Sequence, residues 1–161
     1  MHILDRILSG EVKSLDQSQI KELIPHREPL LLIDKVEEII LNTEDNSLKG
    51  YKKYAIDDPI FRGHFPQRAV LPGVYIIEGI AQTAAILNVL LQYKTYQKKD
   101  FIAFLTSIKN AKFKQPVIPN CTLHYEVKLE KTRGQFFWGY GEAFVDNIKV
   151  AETTLSAAIA K

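Results

Sequence analysis

Apolar residues recur along this chain in two rhythms. Ile3, Leu4, Ile7 and Leu8 follow helical spacing and predict a short helix that Gly10 can end. Ser18 to Ile24 predicts a second short helix, anchored by Leu23 and Ile24 and stopped by Pro25. Pro29 then imposes an extended approach on the residue before it. The run LLLIDKVEEIIL, Leu30 to Leu41, is rich in branched apolar side chains and predicts a strand; SLKGYKKYA, Ser47 to Ala55, predicts a second, more exposed one. Asp57 to Leu71 is an irregular loop punctuated by Pro59 and Pro66. Pro72 and Gly73 open one long helix that runs to about Tyr93. After the polar linker KTYQKKD the period falls to two, predicting strands over Phe101–Lys114, Thr122–Arg133, Gln135–Val145 and Lys149–Ala160. Leu123, Tyr125, Val127 and Leu129 alternate cleanly with polar residues, and TRGQ and VDNIK read as tight hairpin turns. The plan is α+β: one apolar helix laid on an antiparallel sheet of five or six strands.

Composition narrows this picture without changing it. At 161 residues the chain is expected to be one domain, a helical segment over 1–24 followed by a core over 25–161. Hydrophobic residues make up 46% and charged residues 25%, enough apolar material for a core. A net charge of +2 is too mild to argue for nucleic acid. The single cysteine, Cys121, allows no internal disulfide and reads as a small half-buried hydrophobe. Asp5 interrupts the N-terminal apolar run and no cleavage site follows it, so no secretory signal is expected. The NCT triplet at Asn120 is then no glycosylation site. No apolar stretch is expected to reach the length of a membrane span, and the expected location is cytoplasmic.

The chemistry is concentrated in one helix and the loop before it. From Val74 to Leu91 the helix is apolar on nearly every face, which predicts burial all round. Glu78 and Gln82 are the polar pair at its middle, four residues apart on one face. Burial raises a carboxyl pKa, so Glu78 is expected to hold a proton and serve as donor or acid, unless it meets a wet edge or a lysine. His64 sits upstream in a loop shaped by Gly63 and stiffened by Pro66 and Pro72, suited to hold a base near neutral pH. Gly73 lies at the helix N-terminus, where free N–H groups and the helix dipole can polarise a carbonyl oxygen. A base, an acid and an oxyanion donor suit enolate chemistry: removal of a proton next to a carbonyl, then loss of a neighbouring hydroxyl as water. The GYGEAF stretch at Gly139 lies in a strand with no following helix, so it is no nucleotide loop.

The segment GHFPQRAVLPGVYIIEGIAQ resembles the active-site segment of FabZ-type (3R)-hydroxyacyl-acyl carrier protein dehydratases. LIPHREPLLLIDKV and KFKQPVIP resemble two further segments of that family, and the resemblance runs in order from about Gln19 to Ala160. It implies a hotdog fold, a curved antiparallel sheet wrapped around the long helix. It also implies a homodimer, often three dimers together, with each active site shared between two subunits. The implied reaction belongs to fatty acid biosynthesis and converts a 3-hydroxyacyl thioester to the trans-2-enoyl thioester. By the resemblance, His64 takes the C2 proton, Glu78 helps the C3 hydroxyl leave, the Gly73 N–H binds the thioester oxygen and Gln82 orients Glu78. No metal or redox cofactor is implied. Glu78 itself speaks against the isomerising relatives, which carry aspartate at that position.

Several residues depart from the family pattern. Glu28 replaces an aromatic, Tyr75 an aliphatic residue and Cys121 an acid. Asn120 replaces a turn glycine, and asparagine tolerates positive φ. Phe104 falls where many relatives carry a gating tyrosine in the acyl tunnel. The implied partner is acidic acyl carrier protein, bearing the substrate on 4'-phosphopantetheine. Arg68, Lys98, Lys99, Lys109, Lys112 and Lys114 offer a basic rim for it, or serve as solubilising edge charges. His26 and Arg27 read as structural hydrogen-bonders and Trp138 as a packing residue. Two rival readings share the expected fold: an acyl thioesterase, and a non-catalytic subunit that binds acyl carrier protein.

Overall fold

The computed structural model describes residues 3–42, 44–92 and 102–160. Two short helices come first, α1 over Ile3–Leu8 and α2 over Gln17–Leu23. Strands β1 (Lys35–Leu41) and β2 (Asn46–Tyr54) follow, then a 3-10 turn at Pro59–Phe61 and the long helix α3 (Gly73–Leu91). The chain closes with β3 (Ile102–Phe113), β4 (Cys121–Arg133), β5 (Phe136–Val145) and β6 (Ile148–Ala160). The expected linker Lys94–Asp100, with Lys98 and Lys99, lies outside the described residues, as do Tyr93 and Phe101.

The six strands form one antiparallel sheet in the order β1-β2-β4-β5-β6-β3. Hairpins join β4 to β5 and β5 to β6, as TRGQ and VDNIK predict. Asp146 and Asn147 both take positive φ, 50° and 63°, the geometry that matches the twist of a two-residue hairpin. Asn120 also adopts positive φ, 60°, and its side-chain oxygen accepts from the Ile56 N–H at 3.1 Å. β3 does not pair with its sequence neighbour β4; it crosses over to β6 and forms the far edge of the sheet.

The sheet presents its apolar face to α3. Leu123, Tyr125, Val127, Phe137, Ala143, Ala151, Leu155, Ala157 and Ile159 all point to one buried core with Ile76, Ile80, Ala84, Ile86 and Leu87 of the helix. Each large side chain buried there contributes about 1.5–3 kcal/mol. Leu4, Ile7, Ile20 and Leu23 bring α1 and α2 onto the same core. Asp16 caps α2 in a capping box with Gln19, which starts that helix one residue before the expected Ser18. Burial of α3 is complete from Ile76 to Leu90 except at Glu78; only the first turn, with Val74 71% exposed, stands free. The helix is nineteen residues long with mean hydropathy 1.7, so length and composition alone would let it cross a bilayer, contrary to the sequence expectation. Most of it is buried within the protein, as the central helix of this sheet.

One expected strand is shorter than its sequence suggests. Leu30 to Asp34 is not in the sheet, and only Lys35–Leu41 pairs with β2. Leu31, Leu32 and Ile33 are buried as an irregular segment instead. Short apolar runs do not distinguish the two states, because both bury their side chains.

Gly79 marks the closest approach of helix and sheet. A Cβ there would lie 2.3 Å from the Tyr125 hydroxyl oxygen, and Tyr125 is fully buried with no room to swing aside. Gly79→Ala gains about 1 kcal/mol of helix propensity but overpacks the core by about 1–3 kcal/mol. Net destabilisation is expected in urea unfolding, and Tyr125→Leu in the same chain should recover part of it by opening space, a coupling that additive effects would not give.

Candidate active site

His64 is held by the loop that precedes α3. Its Nδ1 lies 2.7 Å from the Val70 carbonyl oxygen, and the Val70 N–H returns a bond to the His64 carbonyl at 2.8 Å. A carbonyl can only accept, so Nδ1 carries the proton and the Nε2 lone pair is left free. The His64–Phe65 peptide is cis, and the two rings stack with centroids 3.9 Å apart. Phe65 and Arg68 exchange backbone hydrogen bonds, and the Leu71 N–H reaches Val117 beyond β3, so the loop is fastened at both ends.

His64 and Gly73 line one open cavity of about 450 Å3 together with Val70, Val74 and Phe113. Gly73 is the first residue of α3 and sits beneath the Phe113 ring; a Cβ there would come within 2.7 Å of it. In this first turn the Tyr75 N–H already donates to the Pro72 carbonyl at 3.0 Å, while the Gly73 and Val74 N–H groups have no carbonyl one turn earlier and are donors available to a ligand oxygen.

Glu78 and Gln82 line a different cavity, of about 230 Å3, with His26, Ala81, Ala85, Phe104, Leu105 and Phe137. Gln82 is 1% exposed and fully hydrogen-bonded. Its Oε1 accepts from the Leu32 N–H at 2.9 Å, while Nε2 donates to the Leu30 carbonyl at 2.7 Å and to Glu78 Oε1 at 2.9 Å. The backbone partners fix the amide's orientation: an N–H must face Oε1 and a carbonyl must face Nε2. Through this amide, Glu78 Oε1 is tied to the backbone at Leu30 and Leu32. His26 Nε2 also approaches Glu78 Oε1, at 3.4 Å.

Burial pushes the Glu78 carboxyl up, but hydrogen bonds from His26 and Gln82 and the charge of His26 together outweigh it. The group sits below its ordinary carboxylate range, the reverse of the sequence expectation. The physical reason is a pair of donors: Gln82, four residues along the same helix, and His26, which the sequence reads as structural. Its only sequence signal is its place in the PHR segment.

Phe104 lines the Glu78 cavity, yet the register places it opposite Ala158, on the outer face of the sheet, and it is 56% exposed. Its neighbours Ala103 and Leu105 pair with Ile159 and Ala157, whose side chains face the core. The inward position is thus one residue away from Phe104. A separate depression of about 700 Å3 lies between Lys53, Cys121 and Asp146. Burial and the Asp146 charge push the Cys121 thiol up, which leaves it a poor nucleophile. Of the basic residues, Lys112 and Lys114 pair with Glu152 on the outer face. Phe136 and Trp138 stack there at 6.1 Å, with the Lys131 ammonium 5.1 Å from the Trp138 ring centroid. Among the described residues no group of three or more His, Cys, Asp or Glu side chains is arranged to hold a metal ion.

Solved structures share this architecture. A chain of the dehydratase heterocomplex ApeI:P from Xenorhabdus doucetiae superposes with a TM-score of 0.73, at 16% identity, over 88% of this chain and 91% of its own. Cj0977, a sigma28-regulated virulence protein from Campylobacter jejuni, does so at 0.59 and 14% identity, covering 89% of each chain. The fold is the hotdog fold, a six-stranded antiparallel sheet around a central helix. Residues 24–154 match the model of the FabA-like domain, and the chain belongs to that family. The 3-hydroxyacyl-[acyl-carrier-protein] dehydratase FabZ of Campylobacter lari is 42% identical over 145 residues, 90% of this chain and 97% of its own length. The protein of the same name from Helicobacter hepaticus is 35% identical, over 94% of each chain.

Gln82→Leu removes the partners of the buried Leu32 N–H and the part-buried Leu30 carbonyl. Leaving the Leu32 N–H unpaired is expected to cost about 1–3 kcal/mol in denaturant unfolding. The loss from Gln82→Glu should be larger still, because its second oxygen would face two acceptors, the Leu30 carbonyl and Glu78 Oε1, in place of a donor.

Proposed function

We propose that this protein dehydrates (3R)-hydroxyacyl-acyl carrier protein to the trans-2-enoyl form, as a cytoplasmic enzyme of fatty acid biosynthesis. The reading treats the whole chain as a single domain, and three assignments carry the chemistry. His64 Nε2, already freed of its proton by the Val70 carbonyl, takes the proton from C2. The Gly73 N–H at the start of α3 holds the charge that builds on the thioester oxygen. Glu78 Oε2 meets the C3 hydroxyl and, protonated once a second chain and the acyl group shut water out of its cavity, delivers that proton as the C3–O bond breaks; the products are the enoyl thioester and water, with the C2 proton left on His64.

The observation that carries the shared-site part of this reading is the separation of the two groups. His64 and Glu78 line different cavities within one chain. Two copies of the chain, each lending one group, would complete both sites. The edge strand β3 supports such pairing. Ile102, Phe104, Ile108 and Phe113 on it are about half exposed, and Val74 and Phe65 add exposed apolar surface near the His64 cavity. A long, apolar, unpaired edge is a place where another chain adds. A homodimer is the assembly proposed, with a trimer of dimers as its higher form.

The first test follows hydration of a crotonyl thioester by the loss of enoyl absorbance. The wild type is expected to be active, and His64→Ala and Glu78→Gln to lose roughly a hundredfold or more while folding and assembling alike. Release of a free thiol without hydration would favour the thioesterase instead. Co-expression of the two inactive chains tests the sharing. Mixed dimers regain one intact site, so about a quarter of wild-type activity should return from a random one-to-one mixture. Sites contained within a single chain would give none.

A further inference from the structure

His26 stands beside the machinery without a role in it. It belongs to the irregular segment between α2 and β1, and it is half-buried in the wall of the Glu78 cavity. Its backbone is pinned by Arg27, whose guanidinium donates to the carbonyls of His26, Ile24 and Lys21 at 2.6, 3.0 and 3.0 Å. Its ring nitrogens have unequal surroundings. Nδ1 is shut from solvent with no hydrogen-bond partner, while Nε2 faces Glu78 Oε1 at 3.4 Å. A lone ring proton on Nδ1 would be a buried, unpaired donor, so Nε2 is the nitrogen that carries a proton toward Glu78.

Gln82 Nε2 donates to that same oxygen. Two donors from two parts of the chain therefore converge on Oε1, and neither reaches Oε2. We propose that His26 is a positioning residue for Glu78: with Gln82 it occupies Oε1, so that Oε2 alone is presented to the substrate hydroxyl. At 3.4 Å the contact is loose for a hydrogen bond, as is common for such contacts before substrate enters.

The arrangement also sets where Glu78 titrates. The groups facing it are His26, the Gln82 amide on its own helix, and apolar side chains: Ala103 and Leu105 of β3, Phe137 of β5 and Ala157 of β6. Among the described residues lining this cavity, His26 is the only other titratable side chain. Removing it leaves burial to raise the carboxyl with only Gln82 opposing.

This inference rests on the dehydratase reading, and the test separates the two. Wild type, His26→Phe and His26→Gln are compared for kcat, KM and pH profile, with melting temperature and assembly state as controls. His26→Phe keeps the ring's bulk without a donor; His26→Gln keeps a donor. With the fold intact, His26→Phe is expected to lower kcat roughly tenfold or more with KM little changed, as for a lost bond to a charged group. The pH limb set by Glu78 should move to higher pH. His26→Gln should recover most of both. An active wild type matched by His26→Phe in kcat and pH profile overturns the proposal, as does a kcat loss that leaves the limb in place and is not relieved by His26→Gln. Wild type inactive on carrier-linked substrates of several lengths overturns the underlying reading instead.

Discussion

The Gln82 carboxamide is the joint on which the candidate site depends. It lies in the middle of a helix that is otherwise dry, where an unpaired amide would be costly. All three of its hydrogen bonds are made, and two of them bind a stretch of chain some fifty residues upstream. That stretch is the irregular segment Leu30 to Asp34, which joins the sheet at Asp34, where the N–H donates to the Tyr51 carbonyl at 2.8 Å. The helix supplies what the sheet does not. The same amide then spends its remaining hydrogen on Glu78, so one residue closes the fold and aims the carboxylate. Polar groups inside a core specify geometry when they are satisfied, and each polar atom of the Gln82 carboxamide is.

Much of the fold was legible because its elements obey their own local rules. β4, β5 and β6 alternate with period two and end in turns whose residues tolerate positive φ. The long helix announces itself by unbroken apolar character and by Pro72-Gly73 at its start. Failures came where a distant partner decides the outcome. LLLID reads as strand, yet its backbone partner is Gln82, which no local pattern can reveal. β3 lies beyond β6 and not beside β4, a crossover that periodicity does not encode. A register shift between Leu105 and Ser107 further weakens position-by-position reading of which β3 residues face inward.

The site was legible to a different degree. Glu78 stands out as a charge in an apolar run, and His64 as a histidine in a glycine- and proline-shaped loop. Both readings rest on contrast with the surroundings. The electrostatic state of Glu78 was not legible, because it reflects a balance. Burial alone favours the protonated acid, and the sequence shows burial plainly. The opposing donors come from Gln82, visible at i+4, and from His26, visible only once the chain has folded. The larger single influence is burial, and it loses to the sum of the others.

That balance bears on the division of His64 and Glu78 between two cavities. Glu78 keeps a third of its side chain, 34%, open to solvent within one chain. Water there supports the ionised form, as do His26 and Gln82. A second chain closing over β3 and a bound acyl group would remove that water and strengthen the one influence that favours protonation. The donors on Oε1 would persist, since they lie on the protein's own side. Assembly would then bring His64 within reach and also move Glu78 toward the protonated state that a departing hydroxyl requires. A carboxyl held too firmly as the anion could not give up a proton, and one buried without donors would have no fixed direction. The convergence of His26 and Gln82 on a single oxygen reconciles the two demands: it fixes direction through Oε1 and leaves the proton's residence on Oε2 to be set by what covers the cavity.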